Sequence, residues 1–127
     1  MIKYTSLRPI LWTQNLDETL GFYLHILGFN LVERNDEWEW ATIRKDDVEV
    51  MLSKPNDHEK FNGIGFTGSF YFNVDSVDDL WEELKDKAEI CYEIETFEWD
   101  MREFAIYDNN GYILQFGQPA NQIGRTE

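Results

Sequence analysis

The chain has 127 residues, below the rough 150-residue prior for one domain yet long enough to bury about two-thirds of its unfolded surface. Hydrophobic residues make up 43% and aromatics 16%, which excludes a disordered or low-complexity chain. With 11 Lys and Arg against 25 Asp and Glu, the formal net charge of −14 repels phosphate backbones and anionic membrane surfaces, so nucleic acid and membrane are set aside as partners while a cationic ligand stays open.

A strand-like run from Leu7 to Thr13 opens the chain, followed by a helix over residues 15 to 29. There Leu16, Leu20, Tyr23, Leu24 and Leu27 share one face. Asn15 is its N-cap, Glu18 a capping-box partner and Gly28 the left-handed residue that closes it. Three further strands are predicted at about 29 to 34, 37 to 44 and 47 to 53. Lys54 to Lys60 is polar and expected to be exposed, and the Gly-rich stretch Asn62 to Gly68 is expected to join two modules. Beyond it the scheme repeats. A strand from Ser69 to Asp75 is followed by a helix with Ser76 as its cap, Asp78 and Asp79 in its first turn, and Val77, Leu80, Trp81 and Leu84 on its apolar face. Strands follow at about 90 to 96, 99 to 107 and 111 to 117.

Each half is therefore βαβββ, and the fold class is α+β. Arg8 to Trp12 falls on Ser69 to Asn73 at an offset of 61 residues, and Val48 to Leu52 on Tyr112 to Phe116 at 64. Similarity seen only twice indicates a duplicated module rather than a solenoid. The expected organisation is a single domain over residues 1–120, made of modules at about 1–60 and 61–120, with a tail at 121–127. Cys91 is the only cysteine, so no internal disulfide forms, and its simplest reading is a small buried hydrophobe. The N-terminus has no basic n-region, and no stretch approaches the roughly 18 apolar residues that span a bilayer; the expectation is a cytoplasmic protein.

Period-two alternation assigns the strand faces. Leu7, Pro9 and Leu11, Val48, Val50 and Leu52, Phe70, Phe72 and Val74, and Tyr112, Leu114 and Phe116 face the helices. The opposite side carries Arg8, Ile10 and Trp12, then Glu49, Met51 and Ser53, then Ser69, Tyr71 and Asn73, and finally Ile113 and Gln115. Such a mixed polar and aromatic face is solvated, covered by another chain, or curled around a ligand.

Asn15-Leu16-Asp17 through Phe22-Tyr23 and Leu27-Gly28-Phe29, then Arg44-Lys45-Asp46-Asp47-Val48 through Leu52-Ser53, give the chain a family likeness. So does Trp99-Asp100-Met101-Arg102-Glu103-Phe104 through Asp108-Asn109-Asn110-Gly111-Tyr112. Together they resemble the vicinal oxygen chelate superfamily of glyoxalase I, extradiol dioxygenases and bleomycin resistance proteins. The last segment is similar to the W-x-x-R-E-F…D-P-x-G pattern of the resistance proteins, with Asn109 in place of the Pro. The resemblance implies two βαβββ modules forming a curved mixed sheet around a cleft, commonly in a homodimer.

Metal-dependent members of that superfamily place His, Gln or Glu on the first and last strands of each module, positions that map onto Arg8, Met51, Ser69 and Gln115. Only Gln115 is a plausible ligand among these, and neither His25 nor His58 falls in such a position. No metal or other cofactor is expected. The resemblance then points to the metal-free resistance proteins, which bind a flat, cationic drug without transforming it. Trp38 and Trp99 correspond to aromatics that stack on such a ligand. Met51, Ser53, Ser69, Tyr71, Gln115 and Arg8 complete the expected ligand-binding set. Arg8 alternatively forms a structural ion pair with Glu49, and Trp12, Trp40 and Trp81 are read as structural. Arg102 and Glu103 are neighbours on one strand, so at most one of them faces the ligand. No catalytic residue is named, and no nucleophile-and-base motif is present. Two other readings stand beside antibiotic sequestration: a metal-dependent lyase or oxygenase of the glyoxalase or dioxygenase type, and a non-enzymatic protein-interaction module.

Overall fold

Asn15 starts the first helix as its sequence predicts, its side-chain carbonyl accepting the Glu18 N–H at 3.0 Å. The structure is a computed structural model and describes residues 1–57, 61–65 and 68–123. His58, Phe66, Thr67 and residues 124–127 of the expected tail lie outside the described residues. Helix α1, Leu16–Gly21, passes into a π-helical turn over Phe22–Ile26 instead of continuing regularly. Leu27 N–H bonds to the Phe22 carbonyl at 3.2 Å and Phe29 N–H to that of Tyr23 at 2.9 Å, with Gly28 closing the end at φ 78°. The wider turn lets Tyr23 and Leu27 both point inward, where the Tyr23 ring meets Phe22 and Phe29 edge-on.

Two compact units divide the chain, Met1–Asn62 and Gly63–Glu127, parting within the glycine-rich stretch. The first holds β1 (Ile10–Trp12), α1, β2 (Asn30–Asn35), β3 (Trp40–Lys45) and β4 (Val48–Ser53), with sheet order β1-β4-β3-β2. The second holds β5 (Phe70–Asn73), α2 (Val77–Leu84), β6 (Glu89–Thr96), β7 (Met101–Tyr107) and β8 (Ile113–Pro119), in order β5-β8-β7-β6, and ends in a short 3-10 turn over Ala120–Gln122. In each, the first strand runs parallel to the last and the other pairings are antiparallel. Both are mixed sheets of an α+β fold built from two βαβββ modules.

Alternation buries one face of each sheet. Leu11, Ile43, Val50 and Leu52 pack with Leu16, Leu20 and Tyr23 in the first unit; Phe104, Ile106, Leu114 and Phe116 pack with Val77 and Leu84 in the second. There Trp81 meets Phe104 edge-on at 5.2 Å, and Phe104, Phe116 and Phe72 stack in series at 5.3 and 5.1 Å. Trp81 is thus structural. Leu7 departs from the expected pattern: the strand begins only at Ile10, and Leu7 is exposed. Cys91 is half-buried rather than enclosed, its thiol close enough to Tyr107 to raise that phenol above its ordinary value through a hydrogen bond. Among the described residues, no helix is long and apolar enough to cross a membrane.

The start of α2 also differs from its prediction. Ser76 occupies the cap position but its hydroxyl caps nothing. Gln118, buried on β8, does so instead: its amide oxygen accepts the Val77 N–H at 3.0 Å and its amide nitrogen donates to the Asp75 carbonyl at 2.7 Å. A long-range side chain thus satisfies an orphan backbone donor and ties helix to sheet. Replacing it leaves the buried Val77 N–H without a partner and frees the Asp75 carbonyl, so Gln118→Ala is expected to lower unfolding free energy by about 1–3 kcal/mol in urea denaturation, whereas Ser76→Ala is expected to cost well under half as much.

Candidate functional site

Both units turn their first hairpin, β2 to β3 and β6 to β7, in the same way. Glu39 (φ 55°) and Asp100 (φ 64°) are left-handed residues that turn the chain into β3 and β7. Trp38 and Trp99 come immediately before them, 61 residues apart. Each is held on a turn tip with its ring largely in solvent, Trp38 64% and Trp99 57% exposed. The Trp38 N–H is fixed by the Asn35 side chain at 2.9 Å. The turn beneath Trp99 is closed by Asp100 N–H on the Phe97 carbonyl at 3.0 Å and Phe97 N–H on the Met101 carbonyl at 2.9 Å. Trp99 has a further partner: its indole stacks on Phe97 at 4.7 Å and 7°, a two-ring platform with one indole face open.

Behind that platform lies a carboxylate. Glu103 on β7 is only 3% exposed, on the sheet face away from α2. Its Oε1 accepts from Trp99 Nε1 at 3.0 Å and from the Tyr71 hydroxyl at 3.1 Å; the Tyr92 hydroxyl donates to its other oxygen. Gln115 donates to the Tyr92 hydroxyl at 2.8 Å and accepts from Ser69 through its amide oxygen. Tyr71 and Gln115 are register partners between β5 and β8, and Ser69 lies just before β5. The Tyr71 ring reaches Glu103 by crossing Gly117, where a Cβ would stand 1.8 Å from the phenol oxygen, so no other residue fits there without moving the ring. Arg102, on the opposite face, forks onto Asp78 of α2 at 2.9 and 3.1 Å. Among the described residues no cationic side chain pairs with Glu103.

The first unit presents a different face. Arg8 (2.6 Å) and Arg44 (2.6 Å) grip the two oxygens of Glu49 and, Arg44 foremost, hold its carboxyl below the ordinary value. Arg8 thus forms the structural ion pair, at the edge of a cavity of about 410 Å³ that Ser6, Leu7, Asp46 and Asp47 also line. Met51 is half-buried between its register partners Ile10 and Thr42. Ser53 turns its hydroxyl back to the Lys54 carbonyl. Trp12 meets Phe61 edge-on.

The four positions that the resemblance assigns to a divalent ion do not fit one. Arg8 is a cation committed to Glu49, Met51 is a thioether, and the Gln115 and Ser69 polar atoms bond each other. Among the described residues no three His, Cys, Asp or Glu side chains come together.

Comparison with known proteins places this geometry. The Glyoxalase model, described as the glyoxalase/bleomycin resistance protein/dioxygenase superfamily, matches residues 3–116. The chain belongs to this superfamily. It is 26% identical to a bleomycin resistance protein of Geobacillus stearothermophilus, over 87% of this chain and 93% of that one, and equally to one of Staphylococcus aureus. Its fold is shared with a superfamily member from Sphaerobacter thermophilus (TM-score 0.76, 20% identity, 92% of this chain and 98% of that one). TioX from Micromonospora sp. ML1 shares it too (TM-score 0.72, 16% identity, 91% and 99%).

Of the expected ligand-binding set, the second unit brings together Ser69, Tyr71, Gln115 and Trp99, while Arg8, Met51, Ser53 and Trp38 belong to the first. Sequence parity missed Tyr92. Register irregularities on both sides of Tyr92 break the count along β6. Glu103 was one of two adjacent candidates, and the Asp78 partner that takes Arg102 to the helix side is the deciding signal.

Burial, the hydrogen bond it donates to Glu103 and that group's charge push the Tyr71 phenol up from 10.0 to about 12; burial raises Tyr92 as well. The folded state then holds the Tyr71 proton where the unfolded chain has lost it. This contribution is complete below the ordinary value of 10.0 and lost as pH rises towards about 12. Denaturation across that window is expected to show falling stability, with a smaller slope for Tyr71→Phe, and tyrosinate absorbance should develop late for the wild type.

Proposed function

We propose that this chain binds and sequesters a flat small molecule without transforming it, a protein of the bleomycin resistance type. The observation that carries the reading is the Phe97–Trp99 stack: a pre-ordered, half-open aromatic platform on a tip that Glu103 braces through the indole N–H. A planar ring laid on the open indole face gains stacking without the platform having to be ordered first. Trp38, on the matching tip of the first unit, offers a second indole for the same class of ligand. The resemblance to relatives named bleomycin resistance proteins supports the ligand class, and antibiotic resistance in the cytoplasm is the corresponding physiological role. The committed polar atoms of Arg8, Ser69 and Gln115, with a thioether at Met51, favour binding over metal-assisted catalysis.

Bleomycin titration is expected to quench tryptophan emission, with affinity falling roughly three- to tenfold in Trp99→Ala for the loss of one stacking contact. No quenching at high drug concentration, or a stoichiometric Fe, Mn, Ni or Zn that a chelator removes together with a measurable turnover, would overturn the reading. Homodimer assembly belongs to the same proposal and is supported by Ile10, Leu31 and Val32, apolar strand residues exposed in the first unit. Sedimentation at micromolar concentration should give twice the mass of the 15.1 kDa chain; a monomer would remove this part of the proposal.

A further inference from the structure

Glu103 carries a charge that the surrounding protein does not neutralise. Three neutral donors, Tyr71, Tyr92 and Trp99, hold it in place of a cation. A buried carboxylate satisfied this way keeps its field, because dipoles stabilise a charge without cancelling it and the water that would screen it is displaced. Two of its donors are exposed to solvent, Tyr71 (38%) and Trp99 (57%), and of these the indole is the more open. An indole whose N–H donates to a carboxylate is enriched in electron density, and its face attracts cations more strongly than that of a free indole.

The fold does not require this carboxylate. Gly117 pairs with Glu103 on one side and Asn73 on the other; in the first unit Ser53 pairs in the same way with Trp40 and Trp12. The duplicated scaffold thus accommodates Trp40 at the position that Glu103 takes.

We infer that Glu103, acting through Trp99, sets the charge selectivity of the aromatic platform and restricts its ligands to planar cations. This rests on the proposed platform and adds a positioning residue to it. Glu103 itself is too enclosed to touch the ligand: it braces the indole and polarises it. The attraction is also local. The overall charge of −14 favours any cation, but only over a Debye length of about 10 Å at 0.1 M salt, shrinking to about 3 Å at 1 M. A carboxylate buried beside the platform is screened far less.

The test compares acridine, neutral near pH 7.5, with N-methylacridinium, its permanent cation, by tryptophan quenching at both salt concentrations. Wild-type protein should prefer the cation by about tenfold, as expected for charges within roughly 10 Å at an effective dielectric near 20, and keep most of that preference at about 1 M salt. Glu103→Gln retains the acceptor for Trp99 and should lose the preference, N-methylacridinium losing about tenfold more affinity than acridine does. Glu103→Asp should restore part of it. Equal weakening of both probes in Glu103→Gln would reduce the residue to a structural brace and overturn the inference. So would a wild-type preference that vanishes at high salt, a measurement that needs no variant. Acridine binding without cation preference defeats this inference alone; absence of binding by either probe defeats the platform itself.

Discussion

A carboxylate taken out of water costs several kcal/mol unless every lone pair finds a donor. The open face of the second sheet is arranged around meeting that requirement at Glu103. Tyr71 reaches it only because position 117 has no side chain, Tyr92 is turned towards it by the irregular register of β6, and Trp99 is brought to it by a hairpin turn closed over a left-handed Asp100. Gln115 and Ser69 complete the chain of hydrogen bonds behind Tyr92. Removing any donor leaves charge unsatisfied in a low-dielectric site, so the members constrain one another's rotamers. The exposed indole gains its fixed orientation from this buried chemistry.

The same scaffold in the first unit solves a different problem. Its corresponding face sets Ile10, Trp12, Trp40 and Met51 beside the polar Thr42 and Ser53, and its carboxylate, Glu49, is neutralised by two guanidinium groups near solvent. One module therefore carries a charge satisfied by neutral dipoles and the other a charge satisfied by counter-charges. A duplicated fold lets this happen because backbone pairing and the helix-side core depend on alternate residues only; the other set is free to diverge. Both copies nevertheless keep a tryptophan before the left-handed residue of the same turn.

Fold and site differ in how local their determinants are. Helix positions, the βαβββ order, the duplication and the parity of β4, β5 and β8 all follow from contacts at short sequence separation, where period and cap residues suffice. Prediction missed wherever a distant partner competes with a local one. Gln118, 42 residues from Ser76, takes over the start of α2, and the closing turn of the first helix widens to bring both Tyr23 and Leu27 inward.

From the sequence alone came the acidic balance, the two modules, the candidate tryptophans and the unsuitability of Arg8, Met51 and Ser69 as metal ligands. The first two depend on composition and periodicity and the last two on a resemblance of sequence segments to a known family, none of which needs coordinates. Only the tertiary structure decided that Glu103 rather than Arg102 faces away from the helix, that Tyr92 joins Tyr71 upon it, and that Trp99 rests on Phe97. Those outcomes turn on register, on a missing side chain at Gly117 and on the pull of Asp78, each supplied by a strand or helix remote in the chain.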